Sequence, residues 1–276
     1  MLTFDDVTVV YNNVSGQAKT AIDGISLRIR PGEFVTIMGA NGSGKTTFAR
    51  LCNGLIFSTS GSVCVDDVAV RPDDPKAILE IRRRVGMVFQ NPDHQFVSTT
   101  VEREIAFGLE NLGMEREVMR ARVAEMLARF DLESARMKAP HQLSGGQKQR
   151  LAIASVLVMQ PRYLIFDEPA AVLDMRHRRA LMQAMLDLFH HASTNTPHTL
   201  INITQHPEEA LFSNRLIVLH QGKIALDGPP EKLLLQEDPL ARFDIRPPVE
   251  FSAFIRLKKN KFPLTSVDEL FLSPIL

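Results

Sequence analysis

Two segments of this 276-residue chain combine residue types and spacings that could bind phosphate groups. The first, residues 39–46, fits the pattern G-x-x-x-x-G-K-[ST]. In such a loop the glycines let backbone N–H groups face the phosphates, Lys45 would reach the β- and γ-phosphates, and the Thr46 hydroxyl would bind Mg²⁺. The residues that this segment would place around a nucleotide are Gly39, Ala40, Asn41, Gly42, Ser43, Gly44, Lys45, Thr46 and Thr47.

The second segment, residues 143–147, opens a helix that is predicted to run to about residue 159. Ser144 and Gln147 have the S-x-x-Q spacing of a capping box, in which each side chain bonds the backbone N–H of the other residue. Gly145 and Gly146 between them leave the backbone bare. Because a helix N-terminus is partly positive, this segment is predicted to be a second anion site.

Two acidic residues, Asp167 and Glu168, follow an apolar strand predicted over residues 163–166. This arrangement is the Walker B pattern. Asp167 at the end of the strand would hold Mg²⁺ through water, and Glu168 would orient or deprotonate an attacking water. Strands often end in acids, so the pair is informative only beside the phosphate-binding loop.

Three further polar residues follow or belong to predicted strands, and none is informative alone. Gln90 follows a strand predicted over residues 85–89, and His206 follows one predicted over 200–204. A single polar residue at such a place is more often structural than catalytic. Tyr11 could stack on a purine ring or could be a half-buried aromatic residue of a strand.

The composition argues against several classes of protein. Lys and Arg number 32 and are balanced by 32 Asp and Glu, so the chain has no overall basic field to hold nucleic acid. No apolar run approaches the roughly 20 residues that span a bilayer, and the first residues lack the features of a signal peptide. Cys52 and Cys64 have no CxxC spacing and are predicted to be buried thiols in a reducing cytoplasm.

The pattern of apolar residues predicts the elements that position these groups. Alternation over residues 2–29 predicts antiparallel strands around a polar turn at 12–19, and the apolar run 34–38 predicts a strand buried on both faces. A helix is expected over 45–55 and short strands over 63–90. Amphipathic helices are expected over 100–112, 115–130 and 147–159, and a short one over 207–212. Further strands are expected at 163–166, 199–204 and 215–219, with a hairpin or meander at 222–228.

This order of elements predicts one α/β nucleotide-binding core that holds a helical insertion. From about residue 236 the texture changes, because two short amphipathic stretches are interrupted by Pro239, Pro247, Pro248 and Pro263. This change predicts a C-terminal extension.

Taken together, in their order and spacing, the phosphate loop, the capped helix, the acidic pair and the strand-end residues resemble an ATP-binding cassette (ABC) ATPase over about residues 2–230. The resemblance implies an α/β fold with a P-loop NTPase (RecA-like) core, an antiparallel β subdomain and a helical signature subdomain. The ATP-binding domain would span residues 1–235, with the helical part at about 91–160, and the extension would span 236–276. ATP and Mg²⁺ are the implied ligands, and ATP hydrolysis is the implied reaction.

The resemblance also implies roles for single residues. Gln90 matches the Q-loop, which senses Mg²⁺ and contacts the membrane partner, and Tyr11 matches the position that stacks on adenine. His206 matches the switch histidine, which contacts the γ-phosphate and the attacking water. The implied signature, which binds the γ-phosphate of ATP held by the opposite subunit, includes Ser144, Gly145, Gly146 and Gln147. The implied catalytic residues are Glu168, His206, Lys45 and Gln90, and the implied metal ligands are Thr46, Gln90 and Asp167.

One segment departs from the family pattern. Asp174 falls in the D-loop, but Ala171 and Val172 replace the polar and small residues that usually precede it. This departure bears on contacts between subunits. Glu168 is intact, so the chain is expected to hydrolyse ATP.

A narrower resemblance involves residues 90–95 and 100–111, which look like the ATPases of energy-coupling factor transporters, importers of vitamins or transition-metal ions. Residues 243–270 resemble the short helical extension of that group. The implied partners are a second ATPase subunit, identical or paralogous, a transmembrane coupling protein and a substrate-binding membrane protein, but no nucleic acid. The implied location is the cytoplasmic face of the cell membrane.

Three alternatives stay open at this point. The ATPase of an ordinary importer with a binding protein shares every catalytic residue. A non-transport ABC protein acting on DNA or ribosomes is disfavoured by the single phosphate loop and the lack of a long heptad run. A purely regulatory nucleotide-binding subunit is disfavoured by Glu168 and His206. The transported molecule also stays open, because an ATPase subunit does not touch it.

Overall fold

The computed structural model of the chain describes residues 1–12, 17–171, 175–190, 198–259 and 267. Residues 13–16 of the turn predicted at 12–19 lie outside these residues, as do Asp174 and the part of the predicted extension after residue 259 except residue 267. The strands are β1 (Leu2–Asn12), β2 (Ala18–Ile29), β3 (Phe34–Met38), β4 (Ser60–Val65), β5 (Val68–Ala69), β6 (Val85–Val88), β7 (Tyr163–Asp167), β8 (Thr199–Ile203), β9 (Arg215–His220) and β10 (Lys223–Gly228). The helices are α1 (Lys45–Cys52), α2 (Pro75–Arg84), α3 (Val101–Asn111), α4 (Arg116–Arg129), α5 (Gly145–Leu157), α6 (Met175–His190), α7 (Pro207–Ala210), α8 (Pro230–Leu234), α9 (Glu237–Ala241) and α10 (Val249–Lys259).

The central sheet has six strands in the order β10-β9-β3-β8-β7-β6. Its members run parallel except β10, which forms an antiparallel hairpin with β9. Every residue of β3, β7 and β8 is buried, as expected of apolar strands that are covered on both faces. Parallel strands end at one edge of the sheet, so the loops after β3, β6, β7 and β8 come together there.

A second, antiparallel sheet of four strands in the order β2-β1-β4-β5 covers one face of the central sheet. The apolar side chains of β1 and β2 pack onto α1 and the central strands in one cluster. Phe4 and Phe48, for example, stack with ring centroids 4.6 Å apart. Each such fully buried side chain contributes about 1.5–3 kcal/mol relative to exposure. The predicted antiparallel subdomain is therefore confirmed.

The helical insertion, α3 to α5, contributes to the apolar layer on the opposite face. Leu109 of α3 and Leu151 of α5 are fully buried in the same cluster as Phe166 of β7. The start of α3 is capped by Thr100, whose hydroxyl accepts a hydrogen bond from the backbone N–H of Arg103. The three helices agree with the predicted ones within two or three residues at either end.

The structure corrects one predicted region. Residues 63–90 were expected to form short strands only, but α2 separates β5 from β6. Its start carries clear signals, since the side chain of Asp74 accepts a hydrogen bond from the N–H of Ala77 at 2.9 Å and Pro75 occupies the first turn. Ile78 and Ile81 form the buried face. Ten residues with two buried apolar positions give too short a helical pattern to stand out between strands.

The C-terminal helices pack on the central sheet instead of forming a lobe of their own. Leu240 of α9 and Phe251 of α10 share a cluster with Met38 of β3 and Val218 of β9. The division at residues 235 and 236 therefore remains a proposal that rests on sequence. Within the part of the chain described above, no helix is both long and apolar enough to cross a membrane.

Candidate active site

The phosphate-binding loop joins β3 to α1 at the edge where the parallel strands end. Gly44 precedes α1 with a φ of 111°, and a Cβ atom there would lie 2.5 Å from the carbonyl oxygen of Ala21. At Gly39 a Cβ atom would lie 2.2 Å from the carbonyl oxygen of Leu219. Both positions therefore require glycine, which allows the loop to lie against its neighbours and to curl toward α1.

Lys45, the first residue of α1, turns its ammonium group into this loop. Its Nζ donates hydrogen bonds to the carbonyl oxygens of Gly39 at 2.7 Å and Ala40 at 3.2 Å, and lies 3.6 Å from Oε1 of Glu168. Burial lowers the pKa of the Lys45 ammonium, while the carboxylates of Glu168 and Asp167 oppose that shift. A buried cation at the mouth of a glycine loop is suited to bind a phosphate group.

Ser43 adds a second sign that the loop is built for a ligand. Its hydroxyl oxygen is buried and has no hydrogen-bond partner among the described residues. A buried polar group without a partner is costly, and an anion at the loop would relieve that cost. The loop residues present therefore fit a nucleotide triphosphate.

Thr46 and Asp167 converge from α1 and the end of β7. The Thr46 hydroxyl donates to Oδ1 of Asp167 at 3.4 Å. Burial raises the pKa of Asp167; the Thr46 hydrogen bond opposes the rise, and the nearby Glu168 carboxylate adds to it. A divalent cation would relieve the repulsion between these two carboxylates.

This pair of oxygen ligands fits Mg²⁺, which takes one or two protein oxygens together with water and substrate phosphates. Across the described ranges, no group of three or more His, Cys, Asp or Glu side chains forms a metal-binding cluster. Mg²⁺ at Thr46 and Asp167 would thus depend on the nucleotide for its remaining ligands.

Glu168 is held at both ends. Its backbone has a φ of 50°, in the left-handed region, and its N–H donates to the carbonyl oxygen of Ile203 at 2.9 Å. Its Oε2 accepts a hydrogen bond of 3.0 Å from Nε2 of Gln90, and its Oε1 accepts one of 2.8 Å from Nε2 of Gln205. An unusual backbone conformation with both carboxylate oxygens engaged is typical of a functional position.

Gln205 is the residue that the sequence analysis missed. Its Nε2 also donates to Oδ1 of Asn41 in the phosphate loop at 2.9 Å. The available signal was topological: β8 lies between β3 and β7, so a side chain just beyond β8 reaches both the loop and the acidic pair. His206, the predicted residue, is the N-cap that precedes α7; its backbone N–H donates to Thr204 Oγ1 at 3.0 Å, and its imidazole has no hydrogen bond or ion pair to any described residue.

The predicted capping box is present at the start of α5. The Ser144 hydroxyl accepts from the N–H of Gln147 at 3.3 Å, and Oε1 of Gln147 accepts from the N–H of Ser144 at 3.0 Å. A Cβ atom added at Gly145 or Gly146 would meet nothing within 4 Å. Throughout the described residues, no hydrogen bond or ion pair joins these four residues to the phosphate loop.

Tyr11 and Thr47 lie side by side next to the loop. The Tyr11 hydroxyl is 3.4 Å from Oγ1 of Thr47, one residue after Thr46 in α1, and 39% of the tyrosine is exposed. The aromatic ring thus lies at the surface beside the start of α1, where a base attached to a bound triphosphate could reach it.

Comparison with known proteins agrees with this geometry. The model of a family described as ABC transporter matches residues 22–171. The energy-coupling factor transporter ATP-binding protein EcfA1 of Clostridium novyi is 41% identical over 233 residues, which cover 84% of this chain and 81% of that protein. The cobalt import ATP-binding protein CbiO of Syntrophus aciditrophicus is 41% identical over 241 residues, covering 87% of this chain and 84% of that one.

Solved structures show the same fold. CbiO1 of Clostridium perfringens, described as part of an ABC transporter complex, superposes with a TM-score of 0.74 at 31% identity and covers 92% of this chain and 98% of its own. A dimeric ATP-binding cassette in a post-hydrolysis state with ADP and Pi superposes with a TM-score of 0.75 at 30% identity, covering 83% and 99%.

Proposed function

The chain belongs to the ABC transporter family of ATP-hydrolysing subunits, and from that premise we propose that it powers solute import as one ATPase subunit of an energy-coupling factor transporter. The observation that carries the proposal is the convergence of Lys45, Thr46, Asp167 and Glu168 at one edge of the central sheet. These groups are the ones that ATP hydrolysis needs, because phosphoryl transfer depends on positioning and charge stabilisation.

Each group has a distinct task in this proposal. Lys45 leaves its loop carbonyls to bind the β- and γ-phosphates, and Tyr11 stacks on the adenine. Thr46 and Asp167, with Gln90, would hold Mg²⁺, which would supply charge neutralisation on the phosphate oxygens. Glu168 accepts a hydrogen bond from the attacking water and takes its proton as the water oxygen bonds to the γ-phosphorus. The bond from the γ-phosphorus to the bridging oxygen breaks in the same step, and ADP is the leaving group.

A second subunit completes the site. The start of α5 is open to solvent at Gly145 and Gly146 and makes no polar contact with the phosphate loop among the described residues. Its partly positive N-terminus would bind the γ-phosphate of ATP held by the other subunit. The second subunit is a copy of this chain or a related ATPase.

Hydrolysis would then separate the two subunits. A triphosphate bridges two anion sites, and removal of the γ-phosphoryl group removes the contacts they share. ATP therefore shifts the population toward the closed dimer, and hydrolysis reverses that shift. Gln90, which follows β6, and the helical insertion would pass this movement to a transmembrane coupling protein at the cytoplasmic face of the membrane.

The names of the relatives support a proposal for the class of transported solute. Proteins 36–42% identical to this chain are named as ATP-binding subunits of energy-coupling factor transporters or of cobalt import. We expect the solute to be a vitamin or a transition-metal ion, recognised by a separate substrate-binding membrane protein.

The substitution Glu168→Gln tests the ATPase part of the proposal. The variant should bind ATP normally, lose about 10²–10⁴-fold in hydrolysis, and accumulate as a dimer in Mg²⁺-ATP but not in Mg²⁺-ADP, as measured by gel filtration with light scattering. A variant that stays monomeric in Mg²⁺-ATP would contradict the composite site.

Purification of the tagged chain from detergent-solubilised membranes tests the transport part. Two membrane proteins, one coupling and one substrate-binding, should accompany the chain. Recovery with a periplasmic binding protein's permease would instead indicate an ordinary importer, and recovery with ribosomes would exclude transport.

A further inference from the structure

Two neighbouring polar residues, Gln205 and His206, follow β8 between the phosphate loop and the acidic pair. Their side chains make different contacts. Gln205 donates to Oε1 of Glu168 at 2.8 Å and to Oδ1 of Asn41 at 2.9 Å. His206, the next residue, has no side-chain hydrogen bond or ion pair within the part of the chain that the structure describes.

The topology explains why Gln205 reaches both partners. β8 pairs with β3 on one side and with β7 on the other. Residues just beyond β8 therefore lie between the phosphate loop, which follows β3, and Glu168, which follows β7. One residue further, the chain has already turned into α7, whose first residue is Pro207.

The chemistry of the amide fixes its orientation. A carboxylate only accepts hydrogen bonds, so the group of Gln205 that faces Glu168 must be its NH₂. That nitrogen has two hydrogens, and both are used, one on Glu168 and one on Asn41. The amide oxygen then remains available to accept a hydrogen bond from the water that Glu168 would activate, the role that glutamine has in other nucleotide hydrolases.

We infer that Gln205, and not His206, is the positioning residue at the end of β8, and that it holds Glu168 against the phosphate loop through its hydrogen bonds to Glu168 and Asn41. The inference rests on the proposed ATPase function. It gives the amide of Gln205 the position at the strand end that the sequence resemblance had given to the imidazole of His206. Gln205 acts through Glu168, so its loss should slow turnover more than it weakens ATP binding.

Steady-state ATP hydrolysis by the full-length chain tests the inference. Gln205→Ala should lower kcat by about 10–100-fold and leave KM for ATP within about threefold. Gln205→Glu, which keeps the size of the side chain but places a carboxylate opposite Glu168, should be at least as slow. Gln205→His, which restores an N–H donor of similar reach, should have a kcat at least about threefold higher than that of Gln205→Ala.

Two comparisons complete the experiment. His206→Ala should lower kcat much less than Gln205→Ala does. Gln17→Ala, at an exposed glutamine in the second sheet's loop region, serves as the matched control and should equal the wild type. Urea unfolding of each variant confirms that the folded state is retained.

The possible outcomes distinguish a failure of the proposed ATPase function from a failure of the role inferred for Gln205. A wild-type chain that does not hydrolyse ATP, or a Glu168→Gln variant as active as wild type, overturns the proposed function and the inference with it. An active wild type in which His206→Ala is as slow as Gln205→Ala, or in which Gln205→Ala stays within about threefold of wild type, overturns the inference alone.

Discussion

Gln95 donates a hydrogen bond of 3.1 Å from its side-chain amide to the hydroxyl of Ser155, and so ties the segment after β6 to α5. The same nitrogen donates to the carbonyl oxygen of Ala152 at 3.0 Å, and Oε1 of Gln95 accepts from the N–H of Phe89 at 3.3 Å. One half-buried side chain therefore joins the end of β6, the edge strand of the central sheet, to the helix whose start carries Ser144. Gln90 directly follows Phe89, so a displacement of Gln90 would be transmitted to α5 through the side chain of Gln95.

The substitution Gln95→Ala should lower the free energy of unfolding by about 1–3 kcal/mol, because it leaves the N–H of Phe89 and the buried hydroxyl of Ser155 with fewer partners. Urea denaturation measures the change. Gln17→Ala, at an exposed glutamine, should change it by less than about 0.5 kcal/mol. If the two variants had equal free energies of unfolding, the contacts of Gln95 would make no net contribution to the stability of the fold.

The substitution Gly146→Ala should affect the stability of the isolated subunit and the ATPase activity of the dimer differently. A Cβ atom at Gly146 meets nothing within 4 Å and the residue has ordinary helical geometry, so the isolated subunit should be as stable as wild type or up to about 1 kcal/mol more stable. ATP hydrolysis should nevertheless fall, because the opposite subunit's γ-phosphate would meet the new methyl group.

Gly86→Ala provides the contrast for that prediction. A Cβ atom at Gly86 would lie 2.4 Å from Cγ1 of Val156 and 2.9 Å from Cγ of Pro161. Overpacking should cost about 1–3 kcal/mol in unfolding free energy. If Gly146→Ala destabilised the monomer by a similar amount, the fold of the single subunit would require glycine at this position. The proposed role of Gly146 at the interface between subunits would then be contradicted.

Asp66→Asn should destabilise the fold in a pH-dependent way. The Asp66 carboxylate accepts from the Tyr163 hydroxyl at 2.7 Å and from Arg162 at 3.1 Å, and it also receives the Met1 amine. Burial acts to raise the pKa of Asp66, but the amine and the Tyr163 hydrogen bond outweigh it and hold that pKa below its ordinary value.

The sign of this effect follows from linkage. A depressed pKa means that the carboxylate stabilises the folded state above the unfolded-state pKa of about 3.9 and that this contribution is lost as the pH falls below it. Asp66→Asn should therefore be less stable than wild type by about 1–3 kcal/mol at neutral pH, with the difference shrinking below about pH 4. A difference that persisted unchanged at pH 3 would contradict the ionic origin.

Thr46→Ala should raise the Mg²⁺ concentration for half-maximal hydrolysis by about 10–100-fold, since it removes one of two protein oxygens at the metal position. Titration of Mg²⁺ at fixed ATP measures the shift, and excess chelator should abolish the reaction in both proteins. Thr100→Ala, which removes the cap of α3, should leave the Mg²⁺ requirement unchanged.

The sequence predicted those parts of the fold and site that depend on local pattern. The capping box needs only Ser144 and Gln147 three residues apart, and the apolar runs at 34–38 and 163–166 identify strands that are buried on both faces. The phosphate loop is likewise a contiguous motif. These features could be predicted because neighbouring residues alone determine them.

Features that depend on packing between distant segments were missed. α2 is short, and its buried Ile78 and Ile81 contact elements that the sequence does not place beside them. The contact between Gln205 and Glu168 depends on the strand order and on where β8 ends, and a shift of one residue exchanges Gln205 for His206. The local pattern of apolar residues identifies a strand or helix more reliably than it identifies the residue at which that strand or helix ends.

The packing of the C-terminal helices has a consequence for ligand linkage. Met38, the last residue of β3, directly precedes Gly39 of the phosphate loop, and it shares an apolar cluster with Leu240 of α9 and Phe251 of α10. The extension and the loop therefore belong to one cooperative unit, in which a ligand that binds only the folded state stabilises every part. Protection of α10 from protease should then increase with nucleotide occupancy, although α10 contributes no residue to the phosphate loop.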